Sequence, residues 1–266
     1  MNEAELVFTE ALNCSRMDLY LKKDLPLDKE KSLRISSILK RRLNAEPIQY
    51  ILGETEFMGL EFKVAEDVFI PRPETEILVE TVIEKAHELM SLGAGELNII
   101  EIGTGSGCIA VSLAKFISQA HIIATDISPE ALNIARENAK THNVENRIKF
   151  LKSDLFDSFA ICDKRYAICV SNPPYIPTAE ICQLAPEVRH EPCIALDGGC
   201  DGLSFYRRLA KSSGRFLRKE SLLITEIGFN QLKEVKNIFQ NFKEFKIQKV
   251  IKDYCNIDRV VVAKRI

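Results

Sequence analysis

An apolar run that leads directly into alternating glycines constrains this chain more than any other feature. The residues after Asn98 are Ile99, Ile100, Glu101, Ile102, Gly103, Thr104, Gly105, Ser106 and Gly107. The apolar run predicts a buried β-strand, and the glycines allow a tight turn into a helix with close approach of the backbone to a ligand. This segment therefore predicts an α/β fold that binds a nucleotide-like ligand at the carboxyl end of the strand.

The same alternation continues through the rest of the chain, where short apolar runs are separated by segments of helical spacing. We predict seven strands, at residues 97–102, 121–125, 148–151, 167–171, 221–227, 245–251 and 259–263. Helices are expected to begin near Pro73, Cys108, Pro129, Gly202 and Asn230. The pattern is typical of a parallel, doubly wound, Rossmann-like sheet with helices on both faces.

The chain before this α/β region carries two other patterns. In residues 1–46 the apolar positions recur at roughly helical spacing, which predicts a small helical domain. Residues 47–70 contain two short β-prone runs, 49–52 and 60–64, and predict a β-hairpin linker. The expected division is a helical domain over residues 1–46, this linker, and an α/β domain over residues 71–266.

Composition narrows the class of protein. The 266 residues are 46% hydrophobic and 28% charged, as in ordinary globular proteins. The formal net charge is −2, whereas proteins that grip many phosphates usually carry a basic excess, so no stable nucleic-acid partner is expected. An acidic start and the lack of any apolar run near the roughly 20 residues that span a bilayer predict a cytoplasmic protein without a membrane partner.

Cysteine and histidine spacing argues against a metal site. The chain has eight cysteines and four histidines, but no two cysteines are spaced C-x-x-C and the histidines match no metal-binding pattern. Reduced thiols and no bound metal are therefore expected.

The residues around the glycines select among nucleotide-like ligands. The dinucleotide fingerprint needs a sixth-position glycine, but counting from Gly103 that position is Cys108. No Gly-Lys-Ser/Thr sequence occurs, so a P-loop is also excluded. The carboxylate of Glu101 would repel a phosphate but attract a cationic amino acid moiety such as that of methionine. A pyrophosphate is therefore not the favoured ligand.

Two further carboxylates follow the next predicted strands. Asp126 stands about 20 residues beyond the glycines, where an acidic residue commonly accepts both ribose hydroxyls. Taken alone, it could equally be a second helix cap beside Ser128, which can cap the following helix. Asp154 is expected to accept an adenine amino group, and Leu155 to cover the face of the ring.

The segment Asn172-Pro173-Pro174-Tyr175 follows the fourth predicted strand and carries the predicted chemistry. Its prolines fix the backbone and lack N–H donors, so the segment presents acceptors to a nitrogen nucleophile. An amide or aromatic amino nitrogen must be held precisely to attack a sulfonium methyl group, because its lone pair is delocalised. The Asn172 side-chain oxygen and the Pro173 carbonyl are the candidate acceptors, and Tyr175 is expected to pack on the planar substrate group.

With these motifs the chain resembles the release factor glutamine methyltransferases, the protein-(glutamine-N5) methyltransferase family. The resemblance spans nearly the whole chain and rests on residues 71–76, 103–107, 172–175, 191–192, 197–199, 201–203, 226–228 and 259–261. The tetrapeptide Asn-Pro-Pro-Tyr alone is shared with methyltransferases that act on base amino groups. The proline-rich segment 71–76, the loop from Glu191 to Leu203 and the helical N-terminal domain are what resemble the glutamine enzymes.

The resemblance implies a methyl donor, a substrate and a set of contacts. It also implies that residues 71–266 form the methyltransferase domain and that the helical domain over residues 1–46 is a substrate-recognition domain. The donor is S-adenosyl-L-methionine, which leaves as S-adenosyl-L-homocysteine, and the target is the glutamine of a Gly-Gly-Gln motif in class 1 peptide-chain release factors. The candidate cofactor-binding residues are Glu101, Gly103, Thr104, Gly105, Ser106, Gly107, Asp126, Asp154, Leu155 and Asn172. The candidate substrate-binding residues are Asn172, Pro173, Pro174 and Tyr175, with Arg72 and Glu74. Some members of that family have an aromatic residue at the position of Leu155, so weaker adenine stacking is expected here.

Two other functions stay open on the sequence. An amino-N methyltransferase for RNA or DNA bases could also use Asn172 and Tyr175 to grip an extruded base. The near-neutral charge and the lack of an extended basic arm favour the protein substrate. A catalytically silent cofactor-binding scaffold is disfavoured by the intact Asn172–Tyr175 segment.

Overall fold

The N-terminal part of the chain is helical. The computed structural model describes residues 2–21, 27–93, 95–159 and 166–266. The first helices are α1 Glu3–Leu12, α2 Arg16–Leu21, α3 Lys29–Leu43 and α4 Ile48–Leu52. Asn2 begins α1 with a capping box, in which its side chain and that of Glu5 each accept the other's backbone N–H. The apolar faces meet in a small core formed by Val7, Ala11, Ile35, Ile38 and Ile48.

A β-hairpin follows, and the predicted position of its first strand is wrong. The hairpin pairs β1 Glu54–Phe57 with β2 Leu60–Lys63 in antiparallel register. Residues 49–52, predicted as a strand, belong instead to α4. The Pro47 carbonyl accepts the N–H groups of the first turn of α4, and Gly53 ends the helix in a left-handed conformation.

The helical conformation of residues 49–52 has a packing cause. Ile48 packs in the core of the first helices, whereas Tyr50 packs in a separate cluster with Val68 and donates its hydroxyl to the Val68 carbonyl at 2.6 Å. In a strand, residues two apart point to the same face, but in a helix they point to nearly opposite sides. Only a helix can therefore place Ile48 in one core and Tyr50 in the other.

A seven-stranded sheet forms the centre of the α/β part, and all seven predicted strand positions are confirmed. Its strands are β3 Leu97–Ile102, β4 Ala120–Asp126, β5 Ile148–Lys152, β6 Tyr166–Ser171, β7 Leu217–Glu226, β8 Phe245–Lys252 and β9 Asp258–Arg265. The spatial order is β5-β4-β3-β6-β7-β9-β8. The expectation of a parallel sheet is wrong at β9, which runs antiparallel to both neighbours. Residues 253–257 between β8 and β9 are too few for the crossover that a parallel pair requires.

Helices cover both faces of this sheet. They are α5 Pro73–Ser91, α6 Cys108–Phe116, α7 Pro129–Thr141, α8 Cys193–Leu196, α9 Ser204–Ser212 and α10 Leu232–Asn241. Short 3-10 helices occupy Glu145–Arg147, Thr178–Gln183, Val188–His190 and Ser213–Arg215. Ile99 of β3 packs in the core with α5 and α6, and its neighbour Ile100 packs in the core with α9 and α10. The sheet is therefore doubly wound. Within the described ranges, no helix combines the length and apolar character needed to cross a bilayer.

Strand register brings the predicted site segments together. Ile102 at the end of β3 pairs with Thr125 of β4 on one side and with Ser171 of β6 on the other. Gly103, Asp126 and Asn172 each follow one of these paired residues, so they lie at one edge of the sheet. The chain order reverses between β3 and β6, and ligands of open α/β sheets bind at such a switch point.

Candidate active site

A cavity of about 230 Å³ opens at this carboxyl edge of the sheet. Most of the predicted cofactor-binding and catalytic residues line it, namely Gly103, Thr104, Gly105, Ser106, Asp126, Asp154, Leu155, Asn172, Pro173, Pro174 and Tyr175. A Cβ atom placed on Gly103 or Gly105 would meet nothing within 4 Å. The glycine turn therefore faces open space on the cavity side.

Gly107 lies outside the cavity lining and serves the packing of two helices. It stands in the left-handed region at φ 82°, and an added Cβ would lie 2.9 Å from the Cβ of Ala135 in α7. Glycine is required at this position because α6 and α7 approach each other closely there. Its predicted contact with a cofactor stays a prediction.

Asp126 is fixed by backbone hydrogen bonds. Its Oδ2 accepts the N–H of Gly105 at 2.8 Å and its Oδ1 accepts the N–H of Ser128 at 3.0 Å. Burial raises the pKa of the Asp126 carboxyl, and these two N–H groups oppose that rise. The side chain of Ser128, not Asp126, caps α7 by accepting the N–H of Ala131 at 3.1 Å. Asp126 is therefore left to face the cavity.

Glu101 lies beneath the glycine turn and is fully buried, outside the cavity lining. Its Oε2 accepts the hydroxyl of Thr104 at 2.7 Å, whereas its Oε1 makes no hydrogen bond with the described residues. Burial raises the pKa of the Glu101 carboxyl to about 8, a rise that the Thr104 hydroxyl opposes. An unpaired buried acceptor under the turn fits a cationic group or a bridging water above it.

Asp154 and Leu155 also line the cavity. The Asp154 carboxylate pairs with the guanidinium of Arg208 in α9 at 2.8 Å, and both side chains are partly exposed. Leu155 is buried and adopts the left-handed conformation with φ 51°. Arg208 was not predicted, because nothing in the sequence around it indicates a contact with a residue so distant in the chain.

The Asn172 side chain is held by two residues that the sequence analysis did not assign. Its Nδ2 donates to Oγ1 of Thr75 at 3.0 Å, and the Thr75 hydroxyl donates to Oε2 of Glu226 at 2.8 Å. No described residue forms a hydrogen bond with the Asn172 Oδ1 atom, so the amide oxygen is available at the cavity. Thr75 and Glu226 stand within the motif segments 71–76 and 226–228, but 151 positions separate them, so the motifs alone do not show that they meet.

Residues from two other loops pack closely against Tyr175. Gln231 donates from Nε2 to the Tyr175 carbonyl at 2.8 Å and accepts the N–H of Gly228 at 3.0 Å. A Cβ on Gly202 would collide with the Tyr175 carbonyl, and one on Gly228 would lie 2.9 Å from the Tyr175 ring. The glycines after β6 and β7 therefore allow the backbone to approach the tetrapeptide closely. This packing gives the Tyr175 ring a fixed position in the cavity wall.

Arg72 and Glu74 do not line the cavity. Arg72 forms an ion pair with the buried carboxylate of Glu191, whose Oε2 also accepts the N–H of Ile70 at 3.1 Å. The guanidinium carbon of Arg72 lies 4.8 Å from the centroid of the Phe69 ring. These contacts tie the segment before α5 to the loop after β6. The predicted substrate contacts of Arg72 and Glu74 stay predictions.

The acidic side chains of the site do not form a metal-binding cluster. In the part of the chain that the structure describes, no group of three or more His, Cys, Asp or Glu side chains is arranged to hold a metal ion.

The sheet order, the glycine turn and the Asn172–Tyr175 segment at the switch point define a methyltransferase with a Rossmann-like fold. The family model for the methyltransferase small domain matches residues 73–187, and that for the PrmC N-terminal domain matches residues 1–53. Proteins named release factor glutamine methyltransferase are 38% to 40% identical to this chain over 89% to 100% of its length, and the chain belongs to their family.

Two relatives support this assignment, and a solved structure supports the fold. The chain is 38% identical over 266 residues to the release factor glutamine methyltransferase of Thermodesulfovibrio yellowstonii, with 100% of this chain and 92% of that protein covered. It is 40% identical over 238 residues to that of Geobacter sulfurreducens, with 89% and 80% covered. The structure of the hMettl16 catalytic domain in complex with a MAT2A 3'UTR hairpin has a TM-score of 0.61 at 19% identity, covers 88% of this chain and 80% of its own, and supports the fold alone.

Proposed function

We propose that this enzyme transfers a methyl group from S-adenosylmethionine to the side-chain amide nitrogen N5 of the glutamine in the Gly-Gly-Gln motif of class 1 peptide-chain release factors. The observation that carries the proposal is the Asn172 amide, which is anchored through its nitrogen and offers its oxygen to the cavity. The relatives' shared name supports the choice of a release factor as substrate.

The residues of the cavity fit S-adenosylmethionine, which supplies an electrophilic methyl group on a sulfonium when bound. The open space over Gly103 and Gly105 would admit the methionine moiety, and the unpaired Glu101 oxygen below the turn would attract its ammonium group. Asp126 retains lone pairs for ribose hydroxyls. Leu155 and Asp154 would contact the adenine face and amino group.

The tetrapeptide would orient the substrate amide. The glutamine NH2 group would donate one hydrogen to Asn172 Oδ1 and the other to the Pro173 carbonyl, which places the nitrogen lone pair toward the methyl group. The half-buried Tyr175 ring would pack on the planar amide. As the amide nitrogen takes the methyl group, the carbon–sulfur bond of the donor would break and the donor would leave as a neutral thioether. The positive charge would pass to the nitrogen, which would then lose its proton to water, so no residue has to remove a proton before transfer.

The helical domain would recognise the rest of the release factor. It is joined to the α/β part by an ion pair between Arg42 and Glu187 at 3.4 Å and by contact of the His190 ring with the Asn44 carbonyl at 3.2 Å. Exposed leucines lie on α3, at Leu33, Leu39 and Leu43. These exposed apolar side chains are candidate contacts for a protein partner. Because release factors act in protein synthesis, the proposal also places the enzyme in the cytoplasm.

The proposal is tested by supplying the methyl donor with a labelled methyl group to the enzyme together with a purified release factor. We expect one methyl group on the glutamine of the Gly-Gly-Gln peptide by mass spectrometry, and no incorporation into a factor in which that glutamine is alanine. Total RNA in a parallel reaction tests the base methyltransferase. Label in the RNA and none in the factor would overturn the proposal.

A further inference from the structure

We propose that Thr75 and Glu226 are positioning residues that fix the Asn172 amide with its oxygen toward the acceptor nitrogen. This inference rests on the proposed methylation of a nitrogen at Asn172. Thr75 contributes to the cavity wall whereas Glu226 lies behind it, and neither carries a proton in the reaction. They act through the orientation of Asn172.

The Glu226 carboxylate sets the direction of the hydrogen bonds that join it to Thr75 and Thr75 to Asn172. An ionised carboxylate only accepts, so Thr75 must donate its single hydroxyl hydrogen to Glu226 across 2.8 Å. The Thr75 oxygen can then only accept from the side chain of Asn172, which lies 3.0 Å away. Asn172 therefore has to present Nδ2 to Thr75 and Oδ1 to the cavity.

The reversed amide is disfavoured on both sides. A flipped Asn172 would place Oδ1 against the Thr75 oxygen, which has no hydrogen left to donate. It would also present an NH2 group to the NH2 group of the substrate, where neither nitrogen accepts. Since the amide is otherwise free to flip, the buried pair supplies a preference that the tetrapeptide lacks.

Thr75 and Glu226 lie in regular elements, and Asn172 directly follows one. Ser171 of β6 pairs with Thr225 of β7, so the residues that follow them, Asn172 and Glu226, lie side by side at the edge of the sheet. Thr75 lies in the first turn of α5, and it and Glu226 are each 2% exposed. The hydrogen bond between Thr75 and Glu226 is therefore shielded from water, which would otherwise compete for it.

Several groups face the Glu226 carboxylate. The titratable and charged neighbours are Glu74, Cys108, Tyr175, Tyr206 and Arg259. Burial raises the pKa of Glu226 to about 7, and the charge of Glu74 adds to the rise, whereas Thr75, Arg259 and Asn172 oppose it. Arg259 also pairs with Asp253 at 2.8 Å. Protonation of Glu226 would free the Thr75 hydrogen and remove the preference for one amide orientation.

Thr75→Val tests the inference, because valine keeps the shape of threonine and removes its hydroxyl. We expect kcat on the release factor to fall about ten- to hundredfold with little change in KM, as for a misplaced reacting group. Thr75→Ser keeps the hydroxyl and should restore most of the rate. Thr81→Val is the matched control, since Thr81 is buried in the same helix and donates only to the Ile77 carbonyl at 2.7 Å.

The pH profile supplies a readout that a purely structural role would not move. The wild-type kcat is expected to fall as pH drops through about 7, and Glu226→Gln, which cannot ionise, should lose this limb. Wild-type kcat in Thr75→Val, equal losses in the two valine variants, or no rescue by serine would each overturn the inference. A wild-type enzyme that leaves the release factor unmethylated but labels RNA would overturn the proposed function instead, and the same variants are then compared on RNA.

Discussion

The carboxylate of Asp126 accepts the backbone N–H of Gly105 at 2.8 Å, which ties the end of β4 to the glycine turn after β3. Its second oxygen is held by the N–H of Ser128. The carboxylate thus belongs both to the loop structure and to the cavity wall. Two adjacent strands are joined at the point where a ligand would lie.

Asp126→Ala should weaken cofactor binding. Loss of hydrogen bonds from a charged acceptor is expected to reduce affinity for S-adenosylhomocysteine about ten- to hundredfold, which isothermal titration calorimetry measures. Asp28→Ala is the control, because Asp28 also accepts a backbone N–H, that of Lys31 at 2.8 Å, but caps the distant helix α3. Equal affinity in wild type and Asp126→Ala would exclude the ribose contact.

Gly107→Ala should destabilise the fold without touching the cavity. The new methyl group would lie 2.9 Å from the Cβ of Ala135 and would sit on a residue with φ 82°. We expect a loss of about 2–3 kcal/mol in the free energy of unfolding, from overpacking and backbone strain together. Denaturant unfolding of Gly95→Ala provides the comparison, since an added Cβ there meets nothing within 4 Å and the backbone is not left-handed. Similar midpoints for both variants would contradict the packing role of Gly107.

Glu101 should make stability fall with rising pH. The folded protein holds the Glu101 proton up to pH about 8, whereas the unfolded chain releases it near the ordinary pKa of 4.5. Its stabilising contribution is complete below the lower value and is lost as pH rises through the upper one. Between them, the wild type should lose up to about 1.4 kcal/mol per pH unit relative to Glu101→Gln.

The measurement for Glu101 is the difference between two unfolding curves. Urea titrations of wild type and Glu101→Gln at several pH values cancel the groups that the two proteins share, including Glu226. A constant difference across pH 5 to pH 9 would show that Glu101 is not protonated in the fold. In the presence of S-adenosylmethionine, the difference in the free energy of unfolding between the two proteins is measured again. A weaker pH dependence of this difference would indicate that a cationic group stabilises the ionised Glu101 carboxylate.

The sequence predicts features that repeat a local rule. The strand positions and the site segments at the ends of β3, β4 and β6 follow from apolar runs and from the geometry of parallel sheets. By contrast, residues 49–52 carry a β-prone composition and form a helix, because Ile48 and Tyr50 are buried in different cores. Local propensity does not show that these two residues are buried in different cores.

The sequence pattern also does not predict contacts between distant segments. The bonds from Asn172 to Thr75 and from Thr75 to Glu226 depend on the stacking of α5 against the sheet edge. The same holds for Asp154 and Arg208, which meet only because α9 packs beside the loop after β5. Single residues of the site could therefore be identified from the sequence, whereas the residues that orient them could be identified only from the fold.

Arg72 should be needed for stability whether or not it contacts a substrate. Its partner Glu191 is buried, so Arg72→Met leaves a carboxylate without its counter-charge. We expect a loss of about 2–3 kcal/mol, less than for a fully buried pair because Arg72 is partly exposed. Adding Glu191→Gln should recover part of the loss in thermal unfolding. A double variant as unstable as Arg72→Met would show that the arginine acts through packing on Phe69 instead.

Asn172→Asp gives the sharpest test of the amide's orientation, because aspartate has nearly the same shape and carries two acceptors. One oxygen would face the Thr75 oxygen, whose hydrogen points to Glu226, so the kcat on the release factor should fall about a hundredfold at neutral pH. Once protonated, the introduced carboxyl group would instead donate to Thr75 and offer its carbonyl oxygen to the cavity, as the amide does. The ratio of variant to wild-type kcat is therefore expected to rise as pH is lowered from about 8 to about 6, where the wild type itself slows. A ratio that is flat or falls over this range would show that Thr75 does not set the polarity of the side chain at this position.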